Sequence, residues 1–204
     1  LAITGMTGAV YVSDVDTASV VFTDEATTPD AEYKRYQVTD ADKRYWDLDS
    51  DITVEVDSVS VTTGFTIERA GGFIVFEEAR GAEEVVTVSG EYLTLMQAGG
   101  FFNWSVDGDG EDADATTFAS AGWKEFARTL KGWSGSADAY WGDAQFFDSL
   151  GQTIVVKLFI DSGTNQDCLE GFAIINGDGI ENPVDGIVEE TIDFTGTGQL
   201  YIRI

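Results

Sequence analysis

The acidic run Asp107-Gly108-Asp109-Gly110-Glu111-Asp112-Ala113-Asp114 is a dense set of hard oxygen donors, and calcium chemistry is the first possibility it raises. An EF-hand loop needs glycine at its sixth position and glutamate at its twelfth. Those positions hold Asp112 and Phe118 here, so the run reads as a solvated acidic loop with at most a weak cation site in high salt. The adjacent carboxylates Glu77-Glu78 and Glu189-Glu190 supply the residue type for glycoside hydrolysis. Neighbours on a strand point to opposite faces, so neither pair converges. The chain contains no histidine, which removes the usual general base and the commonest metal ligand. The single cysteine, Cys168, cannot form an internal disulfide and reads as a small core residue at a strand start. Asn103-Trp104-Ser105 has the form of a glycosylation sequon but falls in an expected strand, where burial is the expected fate. No phosphate-binding glycine motif occurs. No catalytic, cofactor-binding or metal-ligating residue is assigned, and a non-enzymatic protein is expected.

Charge narrows the partners. The chain has 37 acidic and 11 basic residues, a net charge of −26. Binding DNA through its phosphates requires clustered lysine and arginine, so this surface would repel DNA. Two explanations fit. One is adaptation to a high-salt host, where self-repulsion is screened. The other is a surface that DNA must pass without sticking. No stretch approaches the length of a membrane span, and Leu1 to Val12 lacks a basic start. A soluble chain made in a cytoplasm, with a start trimmed before Leu1, is therefore expected.

The elements that would position these residues are mostly strands. Asp51 to Asp57 alternates strictly, with Ile52, Val54 and Val56 inward and Asp51, Thr53, Glu55 and Asp57 outward. Ala9–Val12, Ser19–Phe22, Val85–Leu95, Phe101–Val106, Thr153–Ile160, Leu169–Asn176, Ile187–Phe194 and Gln199–Ile204 also read as strands. Phe65–Arg69 and Phe73–Glu77 flank the turn Ala70-Gly71-Gly72. A hairpin is expected between Tyr33–Val38 and Lys43–Leu48. Gly177-Asp178-Gly179 and Gly196-Thr197-Gly198 read as turns. Asp143 would cap a short helix over Ala144 to Leu150, ended by Gly151, and Ala121 to Leu130 would supply a helical turn or two. The fold class is mostly β, an antiparallel sandwich or barrel with one short flanking helix. A subdivision near Ser89-Gly90 would separate an N-terminal β segment or small add-on domain, 1–89, from a core, 90–204. Trp104, Phe118 and Trp123 bracket a glycine- and acid-rich stretch of about 20 residues with little expected regular structure. Loops that long in compact domains are usually functional or disordered. Aromatic anchors argue for an ordered loop docking on something.

The order Asn103-Trp104-Ser105, Thr116-Thr117-Phe118, Gly122-Trp123-Lys124-Glu125, Trp133-Ser134-Gly135-Ser136, a short helix, a long apolar strand, Gly171-Phe172-Ala173 and Phe194-Thr195-Gly196-Thr197-Gly198 resembles the major tail tube proteins of long-tailed phages and archaeal tailed viruses. The resemblance is densest from Tyr92 to Ile204. It implies a virion structural protein that forms stacked hexameric rings, making a tail tube around a tape-measure protein. The viral genome later passes through this tube without specific binding. It further implies contacts with tail terminator and distal tail proteins, assembly in the host cytoplasm, and no cofactor or membrane. A long loop, here Asp107 to Lys131, would reach neighbouring subunits. Trp104, Phe118, Trp123, Lys124 and Trp133 are its candidate interface residues. Asp51, Glu55, Asp57, Glu189 and Asp193 are candidates for acidic positions on the outer surface or the lumen. Three further readings stay open: a contractile-tail or secretion-type tube protein of the same fold, a carbohydrate-binding β-sandwich module on a virion surface, and a carboxylate glycosidase.

Overall fold

The structure is a computed structural model that describes residues 8–14, 17–142, 145–163 and 166–204. Among these residues there are fourteen strands and one short α-helix. The strands β1 (Ala9–Ser13), β2 (Val20–Pro29), β3 (Arg35–Val38), β4 (Thr53–Val56), β5 (Val59–Val61), β6 (Phe65–Glu68), β7 (Phe73–Phe76), β8 (Val86–Tyr92) and β9 (Leu95–Gln97) come first. Then follow β10 (Phe101–Asp114), β11 (Phe126–Tyr140), α1 (Gln145–Asp148), β12 (Thr153–Phe159), β13 (Cys168–Glu181) and β14 (Glu189–Arg203). The expected class, mostly antiparallel β with one short helix, is the one found. The chain divides into two compact units. Unit 1 takes the described residues of Leu1–Ala98, Ile154–Glu170 and Tyr201–Ile204, and unit 2 those of Gly99–Thr153 and Gly171–Leu200.

In unit 1, one sheet has the order β5-β4-β8-β2-β3-β7-β6. Its core joins Phe22, Tyr36, Val38, Trp46, Val54, Val56, Ile74, Phe76, Val86 and Val88. These are the inward positions of period-2 strands, as read from Val54 and Val56. The β6–β7 hairpin forms around the glycine turn, with Phe65 opposite Phe76. Gly72 has φ +65 and a Cβ there would lie 2.8 Å from the Arg44 backbone, so both conformation and space require glycine. The Tyr33–Val38/Lys43–Leu48 hairpin does not form. Instead β3 pairs with β2 and β7, and Ala41–Lys43 is a 3₁₀ turn capped by the Asp40 side chain. Asp40 won as a cap because its carboxylate meets the free N–H of Asp42. β1 runs antiparallel between β12 and β9. Glu170, 3% exposed, accepts hydrogen bonds from Arg203 Nε at 2.7 Å and from Tyr45 Oη at 2.8 Å, so its buried charge is matched.

In unit 2 the strand order is β10-β11-β14-β13. Two expected turns lie inside strands here: Gly177–Gly179 within β13 and Gly196–Gly198 within β14. Gly196 is there for space, because a Cβ would come within 1.9 Å of the Trp133 ring. The expected cap Asp143 lies outside the described residues. The helix is the single turn Gln145–Asp148, and Gly151 with φ +79 follows it. Ala121 to Leu130 is not helical, since Phe126 onward is strand.

Candidate assembly arm

β10 and β11 pair from Phe101↔Ala139 out to Asp114↔Phe126. The partner on the other side of β11 stops earlier: β14 pairs only between Tyr140↔Glu189 and Ser134↔Thr195. Beyond Ser134 the hairpin continues as a two-stranded arm. The expected long loop at Asp107–Lys131 is therefore corrected in its flanks, where 107–114 and 126–131 are strand, and only residues 115–125 between them form the tip. Asp and Gly are poor strand formers, and no face of an arm is buried, so neither propensity nor alternation marks it. Cross-strand pairing overrides them, with Asp112 opposite Arg128 and the Thr129 hydroxyl donating to the Glu111 carbonyl at 3.0 Å.

The tip orders itself. Thr117 and Ser120 form a capping box around the 3₁₀ turn Phe118–Ser120. Ala121 and Gly122 take left-handed φ of 50 and 84 and turn the chain back. Trp123 N then donates to Ser120 O, and Glu125 N to the Thr116 hydroxyl. These bonds fix the backbone and leave the large side chains outside. Phe118 is fully exposed and Trp123 is 80% exposed. Phe126 and Leu130 are also exposed; Arg128 shares the side of Phe126 by alternation, and Leu130 lies at the bulge where Thr129 and Leu130 together oppose Glu111. Burying one such side chain is worth about 1.5–3 kcal/mol, so together they form a surface that gains much from a partner.

The arm also carries cations. Lys124, Arg128 and Lys131 are the only basic residues of unit 2, which otherwise bears acids alone. No salt bridge involves them among the described residues; Lys124 Nζ lies 6.0 Å from the Phe126 ring centroid. Asp114 lies where the arm meets its tip. Its carboxyl sits below the ordinary range because the Thr116 hydroxyl and N–H both donate to it.

The candidate residues thus separate. Phe118, Trp123 and Lys124 come together at the exposed tip, while Trp104 is half-buried on β10 opposite Ala137. Trp133 is a correction. At 5% exposure it belongs to the interior of its own unit, donating Nε1–H to Gly198 O at 3.1 Å and packing edge-on against Phe194. Ala137 and Ala139, at alternate positions of the same strand, are buried with it. Phe126, Arg128 and Leu130 fall in the stretch expected to be helical and Lys131 at the end of the expected loop; the strand found there leaves all four exposed.

The acidic candidates are scattered. Asp51 precedes β4 and is exposed, and Glu55 is half-buried on β4. Asp57 turns the chain at φ 51 and accepts from Val85 N at 3.0 Å. Glu189 and Asp193 are exposed on β14 and flank Thr191 on the same side. That side of the sheet is polar, with the Asp138 carboxylate accepting from Asn103 and Thr191. Asn103 is thus exposed, contrary to the burial expected of its sequon. The opposite side of β14 buries Glu190 between the positions of Ala139 and Ile192. Asp178 on β13 faces it, and burial pushes the Asp178 carboxyl above its ordinary value while a hydrogen bond with Glu190 opposes this in part.

No protein-family model matches the chain. No curated protein matches it. Among solved structures, it is similar to a chain in the tail of an empty gene transfer agent particle with C6 symmetry. The TM-score is 0.42 at 17% identity, covering 54% of this chain and 87% of that one. It is likewise similar to a chain in the virion of a native gene transfer agent particle, with TM-score 0.42, 17% identity, and coverage of 54% and 89%.

Proposed function

We propose that the chain is a virion structural protein that polymerises as stacked hexameric rings into a tail tube for passage of a viral genome. The observation that carries this reading is the β10–β11 arm, which holds Phe118, Trp123, Phe126 and Leu130 in solvent on a self-ordered hairpin. Exposed aromatics on a rigid scaffold are the usual anchors of a protein contact. The motif order around Asn103–Trp141 supports the tail tube family in particular. On this reading Trp104, Phe118, Trp123 and Lys124 serve the subunit contact. Asp193 and Glu189, on the polar side of unit 2's sheet, belong to a surface that repels phosphates. The tape-measure, terminator and distal tail proteins are its partners, and it performs no catalysis. Sedimentation in molar salt tests the reading: assemblies many times the 22.0 kDa chain are expected, and a single species of chain mass would overturn it.

One observation favours a second reading, a carbohydrate-binding surface module. The Phe102 and Tyr140 rings stack 4.9 Å apart on the surface, followed in sequence by exposed Trp141. Binding on a glycan array that is lost in Tyr140→Ala would favour it over the tube.

A further inference from the structure

The arm meets a specific difficulty as an assembly device. Every copy carries a net charge of −26, so copies repel at long range, and a contact must supply local attraction of opposite sign. Three exposed cations beside exposed aromatics are suited to a surface that is apolar in its floor and acidic at its rim.

Unit 1 contains such a surface. A bulge in β2 shifts its register with β8 between Phe22 and Glu25, and Asp24 takes φ 51 there. Opposite Phe22 stands Gly90, where a Cβ would meet Ile52 Cδ1 at 2.4 Å. Ile52 fills the space beside Gly90, and next to the bulge lies an open cleft of about 460 Å³, lined among others by Val21, Phe22, Asp49, Asp51 and Glu91. Val21 is 69% exposed and offers an apolar wall. Asp49 and Asp51 lie at the edge, and no described hydrogen bond or ion pair engages either carboxylate. Glu91 is held by the Ser19 hydroxyl at 2.5 Å. No basic residue lines the cleft.

We propose that this cleft on one copy receives the arm tip of a second copy. Trp123 lies against Val21, and Lys124 with Arg128 faces Asp49 and Asp51. The proposal rests on the self-assembly reading and names the receiving surface. Its logic is charge complementarity: the basic segment of unit 2 meets a cleft with an apolar wall whose lining carries acids and no base. The nearby Arg69 guanidinium donates to Ser50 O at 2.8 Å and leaves Asp49 and Asp51 unpaired. An aromatic ring seated there excludes water, so the ion pairs beside it are screened less than exposed ones.

The test is a charge-exchange pair. One variant carries Lys124→Glu and Arg128→Glu, the other Asp49→Lys and Asp51→Lys. All four positions are exposed or at the surface, and circular dichroism and melting should match the wild type. Each variant alone is expected to need about tenfold or more protein to assemble. An equimolar mixture is expected to recover, because each arm then finds a cleft of opposite charge on the other copy. Asp49→Asn with Asp51→Asn should give an intermediate loss. A cleft variant that assembles like wild type, or a mixture no better than its parts, overturns the contact while leaving self-assembly standing. Wild type that never assembles overturns both. Flotation with phosphatidylglycerol vesicles that needs the arm's cations, with assembly unchanged, would assign the arm to a lipid surface and overturn the proposal.

Discussion

Trp133 shows what a residue's sequence surroundings reveal and conceal. It alternates along β11 with Ala137 and Ala139, and all three are buried. Its place in the tryptophan-rich run suggested an interface, yet two glycines make room for its ring inside the unit and a third clears the Phe194 ring beside it. A Cβ on Gly171 would approach its ring to 2.9 Å, one on Gly196 to 1.9 Å, and one on Gly135 would press on the Phe194 ring beside it at 2.7 Å. Gly196 and its neighbours were read as a turn because a local reading has no view of the ring that requires them. Gly196→Ala should accordingly destabilise the fold by about 1–3 kcal/mol or more, the cost of overpacking, as a drop in denaturation midpoint without a change of slope. An unchanged midpoint would mean the ring is free to move aside. Asp178 gives the residue scale a pH signature. Its folded value lies above its ordinary 3.8 because burial disfavours the charged carboxylate, an effect that Glu190 only partly opposes, so the folded state binds the proton more tightly than the unfolded one. That contribution is complete below 3.8 and is lost as pH rises through the raised value. Asp178→Asn, whose amide donates to Glu190 without a charge, should melt higher than wild type at pH 7. The advantage should shrink as pH falls toward 4. A variant less stable than wild type at pH 7 would refute this account of the pair.

At the scale of elements, strands with one buried face were legible and strands without one were not. β4 was read from Val54 and Val56, and β6 and β7 from apolar runs around a glycine turn, because burial writes a period of two into sequence. β11 extends well past its buried half and β10, which has no buried residue, runs out beside it, so their outer residues follow no core. The arm reads as a loop for that reason, although its order is the one expected from its exposed aromatics Phe118 and Trp123. The arm also separates folding from association. Trp123 contributes little to its own chain at 80% exposure, so Trp123→Ala should leave circular dichroism and melting near wild type. It should weaken assembly by about 2 kcal/mol or more, a truncation cost typical of a central aromatic anchor. Loss of the monomer fold in this variant would place Trp123 in the interior and remove the arm from the argument.

For the whole molecule, charge sets the conditions under which contacts can act. Lowering salt from 1 M to 0.01 M lengthens the screening distance from about 3 Å to about 30 Å, so repulsion among subunits of −26 each then reaches across whole subunits. Assembly should therefore strengthen with salt, and the concentration needed for half-assembly should fall from millimolar to molar salt. Equal assembly across that range would argue that the acids are grouped on a lumen surface and do not face one another between copies. Composition made this balance legible, since net charge needs no fold to be counted. Where the acids stand did need one: Glu190 is interior while Glu189 is exposed. The central claim is that this chain builds a tube through its arm. Electron microscopy of the purified chain in molar salt tests it most directly. The account predicts long tubes with six-fold end views, and only short or no tubes for Trp123→Ala; a field of separate single subunits at every salt concentration would contradict it.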